Sequence, residues 1–319
     1  MTSVSFNPTS TSAASRLAAS SVALDASQRQ TASAKTVARA QDDAAYWSIA
    51  TTMRAESLSM TAVQDANSLA AAMTDTAASG LDKATDVVAQ IQQKLIIAKS
   101  VGANRATIGS DINEMKGQLA SIAVSGGFAG ENWLQVEEGS RPKVAALLAS
   151  VTSNGAGDLS INMIDFDTGN STLISKQDAA DGMLTRAYSG TTISGVNYNY
   201  YLLDAGSAVG NGNASREIRV DQNTTSDELD GMITTLNRVM IDMVGASADV
   251  SSTRNRISAN VDFVEDLQGL NDAAVSQLVD ADMGEQSARE AALGAQRQLQ
   301  ASGLNIANNS MSLKLSLFL

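Results

Sequence analysis

The chain has no cysteine and no histidine, and only two prolines among its 319 residues. Without cysteine there can be no disulfide, no thiolate nucleophile and no Cys/His zinc site. Without histidine, imidazole acid–base catalysis is excluded. No glycine-rich phosphate loop is present, and the carboxylates do not cluster at matched spacing. Asp165, Asp167 and Asn170 lack the loop spacing and closing glutamate of a calcium site. The expectation is therefore a protein without enzymatic activity, cofactor or metal. Basic residues are also scarce, 22 against 34 acidic ones, and the net charge of −12 argues against nucleic acid or an anionic membrane as partner. No apolar run reaches membrane-spanning length. The opening MTSVSFNPTSTSAAS has no basic residue before Arg16 and no apolar stretch, so it does not read as a secretory signal. Its residues 2–15 are polar enough to be expected disordered in a monomer.

Helical patterning is abundant. With prolines only at Pro8 and Pro142, nothing need break a helix between them or after the second. A weak stripe runs through Ala14, Leu17, Ser21, Leu24, Gln28 and Thr31, too polar to be stable without a partner helix. It sharpens after Asp42 with Tyr46, Ile49, Met53, Met60, Val63 and Ala70. Two stronger runs follow, Leu81 to Ala98 and Ile108 to Ile122, with turns expected near Ser79–Gly80 and Gly102. Residues 131–224 differ, being short β-prone runs between Gly, Asn and Asp turns, with a hairpin turn expected at 167–170 and a short helix at Ala179–Tyr188. Helix resumes at Thr225, where TSDE forms a capping box between Thr225 and Glu228. Its stripe runs from Leu229 to Val264, a break is expected at Gly269, and the last helix carries two apolar lines. One holds Ala288, Ala292, Ala295, Leu299, Ser302, Ile306, Asn309 and Leu313; the other holds Leu293, Leu304, Met311 and Leu315. Two lines on one helix point to contacts beyond a single intramolecular partner.

The terminal thirds share one packing style and are expected to pair, closing around the insertion. The fold class is then mainly α with a small β-containing insertion: a discontinuous helical coiled-coil or bundle frame around a variable outer domain. The expected division is a terminal core of 1–40 with 280–319, disordered in the monomer, a helical rod of 41–140 with 225–279, and an outer domain of 141–224. The tip MSLKLSLFL is an uncovered apolar helix end, which predicts polymerisation or capping by a partner. In the segment DDAAYWSIATTMR, Asp42 and Asp43 suit the first turn of a helix, where carboxylates meet the positive end of its dipole. Tyr46 and Ile49 fall at core spacing, and Trp47 stands one step off the stripe as a candidate intersubunit anchor.

That same segment resembles the helix-opening block of bacterial flagellins, in the aromatic-rich alphaproteobacterial (rhizobial) form. GFAGENWL at 127–134 is similar to the family's Phe-x-Gly-x-Asn-x-Leu turn, and the stretch from Asp280 through LNIAN to LSLFL resembles its terminal helix. Three blocks in the right order, spanning about 1–140 and 225–319, carry the resemblance.

The resemblance implies a structural subunit that polymerises with itself, and with sister flagellins, into the extracellular filament for swimming motility. It also implies unfolded export through the flagellar type III export apparatus without a cleaved signal peptide, insertion beneath a filament cap, and an export chaperone on the C-terminal helix. On this reading Leu17, Leu24, Leu299, Ile306, Leu313 and Leu317 form the self-assembly core. Asp42, Asp43, Tyr46, Trp47, Ile49, Met53 and Arg54 shape the rod helix, while Leu304, Met311, Leu315 and Phe318 meet the chaperone. A hook–filament junction protein shares the terminal frame and is the alternative. A soluble coiled-coil signalling module would leave the β insertion and apolar tip unaccounted for.

Overall fold

The computed structural model describes residues 7–153 and 159–316. In chain order these are helices α1 (Pro8–Ser33), α2 (Ala44–Ala98) and α3 (Arg105–Ser125), then short strands, then α4 (Ser226–Val279) and α5 (Met283–Ser316). The order of helix, β-containing insertion, helix is the expected one. Two compact units result, Met1–Leu58 with Leu267–Leu319, and Ser59–Asp266, with α2 and α4 contributing to both.

In the terminal unit α1 pairs with α5. Pro8 occupies the first turn, where its missing N–H costs nothing, and Asn7 Oδ1 accepts from the Thr9 and Ser10 amides at 3.1 and 3.3 Å. Residues 8–15, expected to be disordered, are therefore helical from this cap onward. The links into α2 and α5 lie together. Ala281 N donates to Ala34 O at 3.0 Å and Thr36 N to Val279 O at 2.7 Å, and Val37 and Val279 are buried beneath.

The larger unit has the conventional core. Leu81, Ile91 and Leu95 of α2, Ile112 and Leu119 of α3, and Leu229 and Leu236 of α4 are fully buried. Arg105 turns the corner between α2 and α3. Its Nε donates to Ala98 O at 3.0 Å and its Nη1 to Thr224 O at 2.6 Å, so it also holds the return of the insertion. Gly102 supplies the expected turn with φ +80°. The capping box forms as read: Thr225 N donates to Glu228 Oε2 at 2.9 Å and Glu228 N to Thr225 Oγ1 at 3.2 Å.

Some local expectations are not met. No turn occurs at Ser79–Gly80, because α2 continues through it; a Cβ on Gly80 would stand 2.3 Å from Leu134 Cδ1, so the glycine makes room for a neighbour. Helix α4 likewise runs through Gly269 and ends only at Val279. Between Ala179 and Tyr188 only Ala179–Asp181 is helical, as one 3-10 turn that Asp178 caps and Gly182 leaves in extended conformation.

The insertion consists of small sheets. β1 (Gly127–Phe128) pairs with β2 (Glu131–Asn132), and β3 (Gln135–Val136) runs parallel to β6 (Ile174–Ser175). β4 (Val144–Ser153) and β5 (Leu159–Asp167) form a longer antiparallel ribbon, followed at 168–170 by a 3-10 turn rather than a hairpin. β8 (Asn197–Tyr201) lies between β7 (Tyr188–Thr191) and β9 (Arg216–Glu217). The ribbon is tied down at its bulge: the Ala149 carbonyl accepts from Asn67 of α2 at 3.3 Å and also from Asn260 of α4.

Candidate assembly surface

The face that α1 turns toward α5 is built from small and polar residues. Ser20, Leu24 and Ser27 are buried, with Ala13 and Leu17 half-buried at the same three–four spacing. The expected stripe shared Leu17, Leu24 and Thr31 with this line, but took Ala14, Ser21 and Gln28 as its second row. The structure instead uses Ala13, Ser20 and Ser27, whose short side chains admit a closer helix than Gln28 would. Across from them α5 buries Gln286 and Ala307 and half-buries Leu293 and Leu304. Hydrogen bonds supply much of the join. Asn7 Nδ2 donates to Ala307 O at 3.1 Å, Thr31 Oγ1 to Glu290 Oε2 at 3.1 Å, and Gln286 Nε2 to Gln30 Oε1.

Other large apolar residues of this unit lie outside the seam. Leu299 is 74 % exposed, Ile306 69 % and Val22 68 %, so the first apolar line of α5 faces solvent from Ala288 to Ile306, while Leu293 and Leu304 of the second are half-buried. Leu304 is on the α1 side. The side chains of Met311, Leu313 and Leu315, and all of Leu317 and Phe318, lie outside the described residues.

At the start of α2, Asp43 is the cap: its Oδ1 accepts from Ala45 N and Tyr46 N at 3.0 and 3.1 Å. Asp42 does not join the first turn. Its Oδ2 accepts from the Ala38 and Arg39 amides, both at 3.0 Å, and so closes the preceding loop. Tyr46 and Ile49, expected in the core, stand 48 % and 49 % exposed, because the inward row begins at Ala50 and continues through the half-buried Met53 and Ser57. Arg54 is half-buried, and Trp47 is exposed next to Tyr46. On the inward side Asn271 Nδ2 donates to Met53 O at 2.6 Å and Ser57 Oγ to Asp272 Oδ1 at 3.1 Å. Leu58 and Leu270 are further exposed apolar residues that the stripes did not single out; their only signal in the sequence is that they fall off the inward rows.

A helix pair whose inner seam mixes small, polar and leucine side chains, and which leaves Val22, Leu299 and Ile306 outside, has the residue pattern of a protein whose burial is completed by another molecule. Comparison with known proteins agrees. Residues 4–138 match the family model described as the bacterial flagellin N-terminal helical region. Over its whole length the chain is 37 % identical to Flagellin C of Rhizobium meliloti (strain 1021), covering 99 % of that protein. The chain belongs to the flagellin family. Flagellin A of the same strain is 30 % identical with both chains covered in full, and the flagellin of Brucella melitensis 27 % with 99 % of it covered. The protein is accordingly a structural subunit of the flagellar filament, a structural rather than catalytic family, and assembles with itself and sister flagellins outside the cell. Among the described residues no helix of this flagellin is long and apolar enough to cross a membrane, and no group of acidic side chains is arranged to hold a metal ion.

Two charged clusters fix the flagellin insertion to its helices. Lys116 of α3, 4 % exposed, bonds Glu217 Oε1 at 3.0 Å and also reaches Ile218 O. Burial lowers the Lys116 pKa, with Glu217 opposing it. Burial alone would raise the Glu217 pKa, but Lys116 and then Arg219 outweigh it and hold the carboxyl below its ordinary value. On the other side Tyr188 Oη donates to Asp242 Oδ2 at 2.8 Å, and Arg186 bonds both groups.

Proposed function

We propose that the solvent-facing apolar residues of the terminal unit are the contacts through which one subunit joins the next. The observation that carries this reading is the orientation of α5, with Leu299 and Ile306 outward while Gln286, Leu293, Leu304 and Ala307 are buried or half-buried. Burying each side chain fully is worth about 1.5–3 kcal/mol, and a helical lattice repeats that gain at every addition. The residues expected from the sequence divide accordingly. Leu299 and Ile306 meet neighbouring subunits, Leu17 and Leu24 hold α1 to α5, and Leu313 and Leu317 belong to the same self-assembly core. Tyr46, Trp47 and Ile49 supply a second contact at the start of α2.

The layered division belongs to the same proposal: 1–40 with 280–319 at the filament core, 41–140 with 225–279 around it, and 141–224 outermost. Before assembly, an export chaperone covers the C-terminal helix through Leu304, Met311, Leu315 and Phe318. The unfolded chain leaves through the type III apparatus without a cleaved signal and folds beneath the cap. No catalytic role accompanies the structural one.

The test is seeded polymerisation of Leu299→Asp/Ile306→Asp against the unaltered chain, read by negative-stain microscopy. Both positions are solvent-facing in the monomer, so its helical content should persist while filaments disappear. Filaments of normal length and number from the double variant would overturn the assignment.

A further inference from the structure

A groove of about 400 Å³ in the larger unit runs between α2 and β4. Leu69, Ala70 and Met73 line it from the helix, and Val144, Ala146 and Leu148 from the strand. Leu69, Val144 and Ala146 are exposed, so its rim is apolar as well. The two charged residues in its lining, Glu131 and Lys143, neutralise each other at 2.7 Å.

The same unit carries an apolar residue that nothing covers. Ile193 stands fully exposed on the turn between β7 and β8, with Val196 exposed beside it. The turn is closed by its own bonds, Gly195 N donating to Thr192 O at 2.9 Å and Thr192 N to Val196 O at 2.8 Å. No charged residue occurs from Ala187 to Leu203, nor in the stretches 66–74 and 144–153 that border the groove. The unit around them is strongly acidic, with 25 acidic against 14 basic side chains over Ser59–Asp266. Like charges set face to face are costly, so two copies meet with least repulsion where both surfaces are uncharged.

Turn and groove of one chain do not meet. The hairpin is held to α4 at Arg238, which donates to Ser189 O at 3.0 Å, and β4 is held at Asn260, which donates to Ala149 O. Those anchors stand about 33 Å apart along the helix at 1.5 Å per residue, whereas the strand from Ser189 to Ile193 reaches only about 14 Å.

We propose that Ile193 of one subunit enters the α2–β4 groove of the next, a contact in the larger unit additional to the one assigned to the terminal helices. It rests on self-assembly, a property of the family, and not on the terminal assignment. Knob and groove are different surfaces, so the contact is head-to-tail and leaves one of each free at the ends of a stack, as an open polymer requires.

The experiment uses two full-length variants, Ala146→Cys at the groove and Ser194→Cys beside Ile193, both at exposed positions. The chain has no cysteine of its own, so a short bismaleimide links only the introduced thiols. Seeded filaments mixed from the two variants should give linked dimers on a denaturing gel, while filaments of either variant alone and dilute mixed monomer should give none. Mixed filaments without linked dimers, or equal yields from a single variant, would overturn the proposal. Ile193→Asp, on an exposed turn, should raise the critical concentration for polymerisation at least tenfold, as for one isoleucine no longer buried. An unchanged critical concentration would overturn the contact whether or not the cysteine variants assemble. Filaments lost in Leu299→Asp/Ile306→Asp, with no linked dimers here, would remove this contact alone; linked dimers, with filaments persisting in that variant, would remove the terminal one alone.

Discussion

Gly80 lies in the middle of an uninterrupted helix, and replacing it with alanine separates two opposed effects. By helix propensity alone the change should stabilise the chain by about 1 kcal/mol. The structure predicts the opposite sign. A Cβ at Gly80 would meet Leu134 Cδ1 at 2.3 Å, and a Cβ at Gly126 would meet the same atom at 2.5 Å and Leu134 Cγ at 3.0 Å. Leu134 is fully buried and held between the two glycines, so it has little room to withdraw. Overpacking of this kind costs about 1–3 kcal/mol, which exceeds the propensity gain over most of that range. Gly80→Ala should therefore destabilise the larger unit by about 1 kcal/mol net.

Leu134→Ala removes the obstruction at a cost of about 2–5 kcal/mol for the lost burial and the cavity. In that background Gly80→Ala should become stabilising, since the new methyl enters vacated space and the propensity term acts unopposed. The double-mutant cycle should then show a coupling of about 1–3 kcal/mol. Urea unfolding followed by tryptophan fluorescence measures it. The chain has two tryptophans, and a Trp47→Phe background leaves Trp133, buried beside Leu134 and stacked on Phe166 at 4.6 Å, as the reporter of this unit. If Gly80→Ala alone raises the midpoint, or the cycle is additive, the clamp on Leu134 is not what that glycine serves.

The Lys116–Glu217 pair predicts a specific acid sensitivity. The Glu217 carboxyl is held below its ordinary value of 4.5, so the unfolded chain binds the extra proton as pH falls, and stability present above 4.5 is lost through the folded-state pKa. Glu217→Gln should flatten that part of the urea-midpoint profile between pH 7 and pH 3, and an unchanged slope would refute the assignment. Charge distribution predicts a salt effect on assembly. Ser59–Asp266 carries 14 basic against 25 acidic side chains, a net −11, so copies brought side by side repel one another. Seeded polymerisation should accelerate as the Debye length shrinks from about 30 Å at 0.01 M salt to about 8 Å at 0.15 M. A rate that is flat or falling across that range would show that these charges are not opposed in the filament.

What the sequence made legible was local. Thr225 and Glu228 lie three residues apart and the box between them needs nothing else. Gly102 supplies a turn by its own backbone freedom. The misreadings involve residues whose role is set by something distant in the chain. Gly80 looks like a turn glycine until Leu134 arrives against it. Tyr46 and Ile49 have helical spacing, but spacing alone does not say which face is inward; Asn271, bonded to the Met53 carbonyl, decides that. The choice of Ala13, Ser20 and Ser27 over Ala14, Ser21 and Gln28 likewise depends on α5.

The start and the middle of α2 differ in what they bury, and that contrast bears on the proposed assembly surface. From Leu81 to Leu95 the helix buries Leu81, Val88, Ile91 and Leu95 completely and exposes Asp82, Lys83 and Gln93, although Ile96 and Ile97 just beyond are each 54 % exposed. From Tyr46 to Leu58 it exposes Tyr46, Trp47, Ile49 and Leu58 and places Ala50 and Ser57 inward. The first arrangement gains its stability within one molecule. The second leaves much of the available burial unrealised, and α1 and α5 follow it, with Val22, Leu299 and Ile306 outside and Ser20, Ser27 and Gln286 inside. A seam that relies on hydrogen bonds such as Asn7 to Ala307 gains only about 0.5–1.5 kcal/mol from each, because water offers the same groups partners in the unfolded chain. The terminal helices should therefore owe most of their stability to neighbouring subunits, and the larger unit most of its stability to itself.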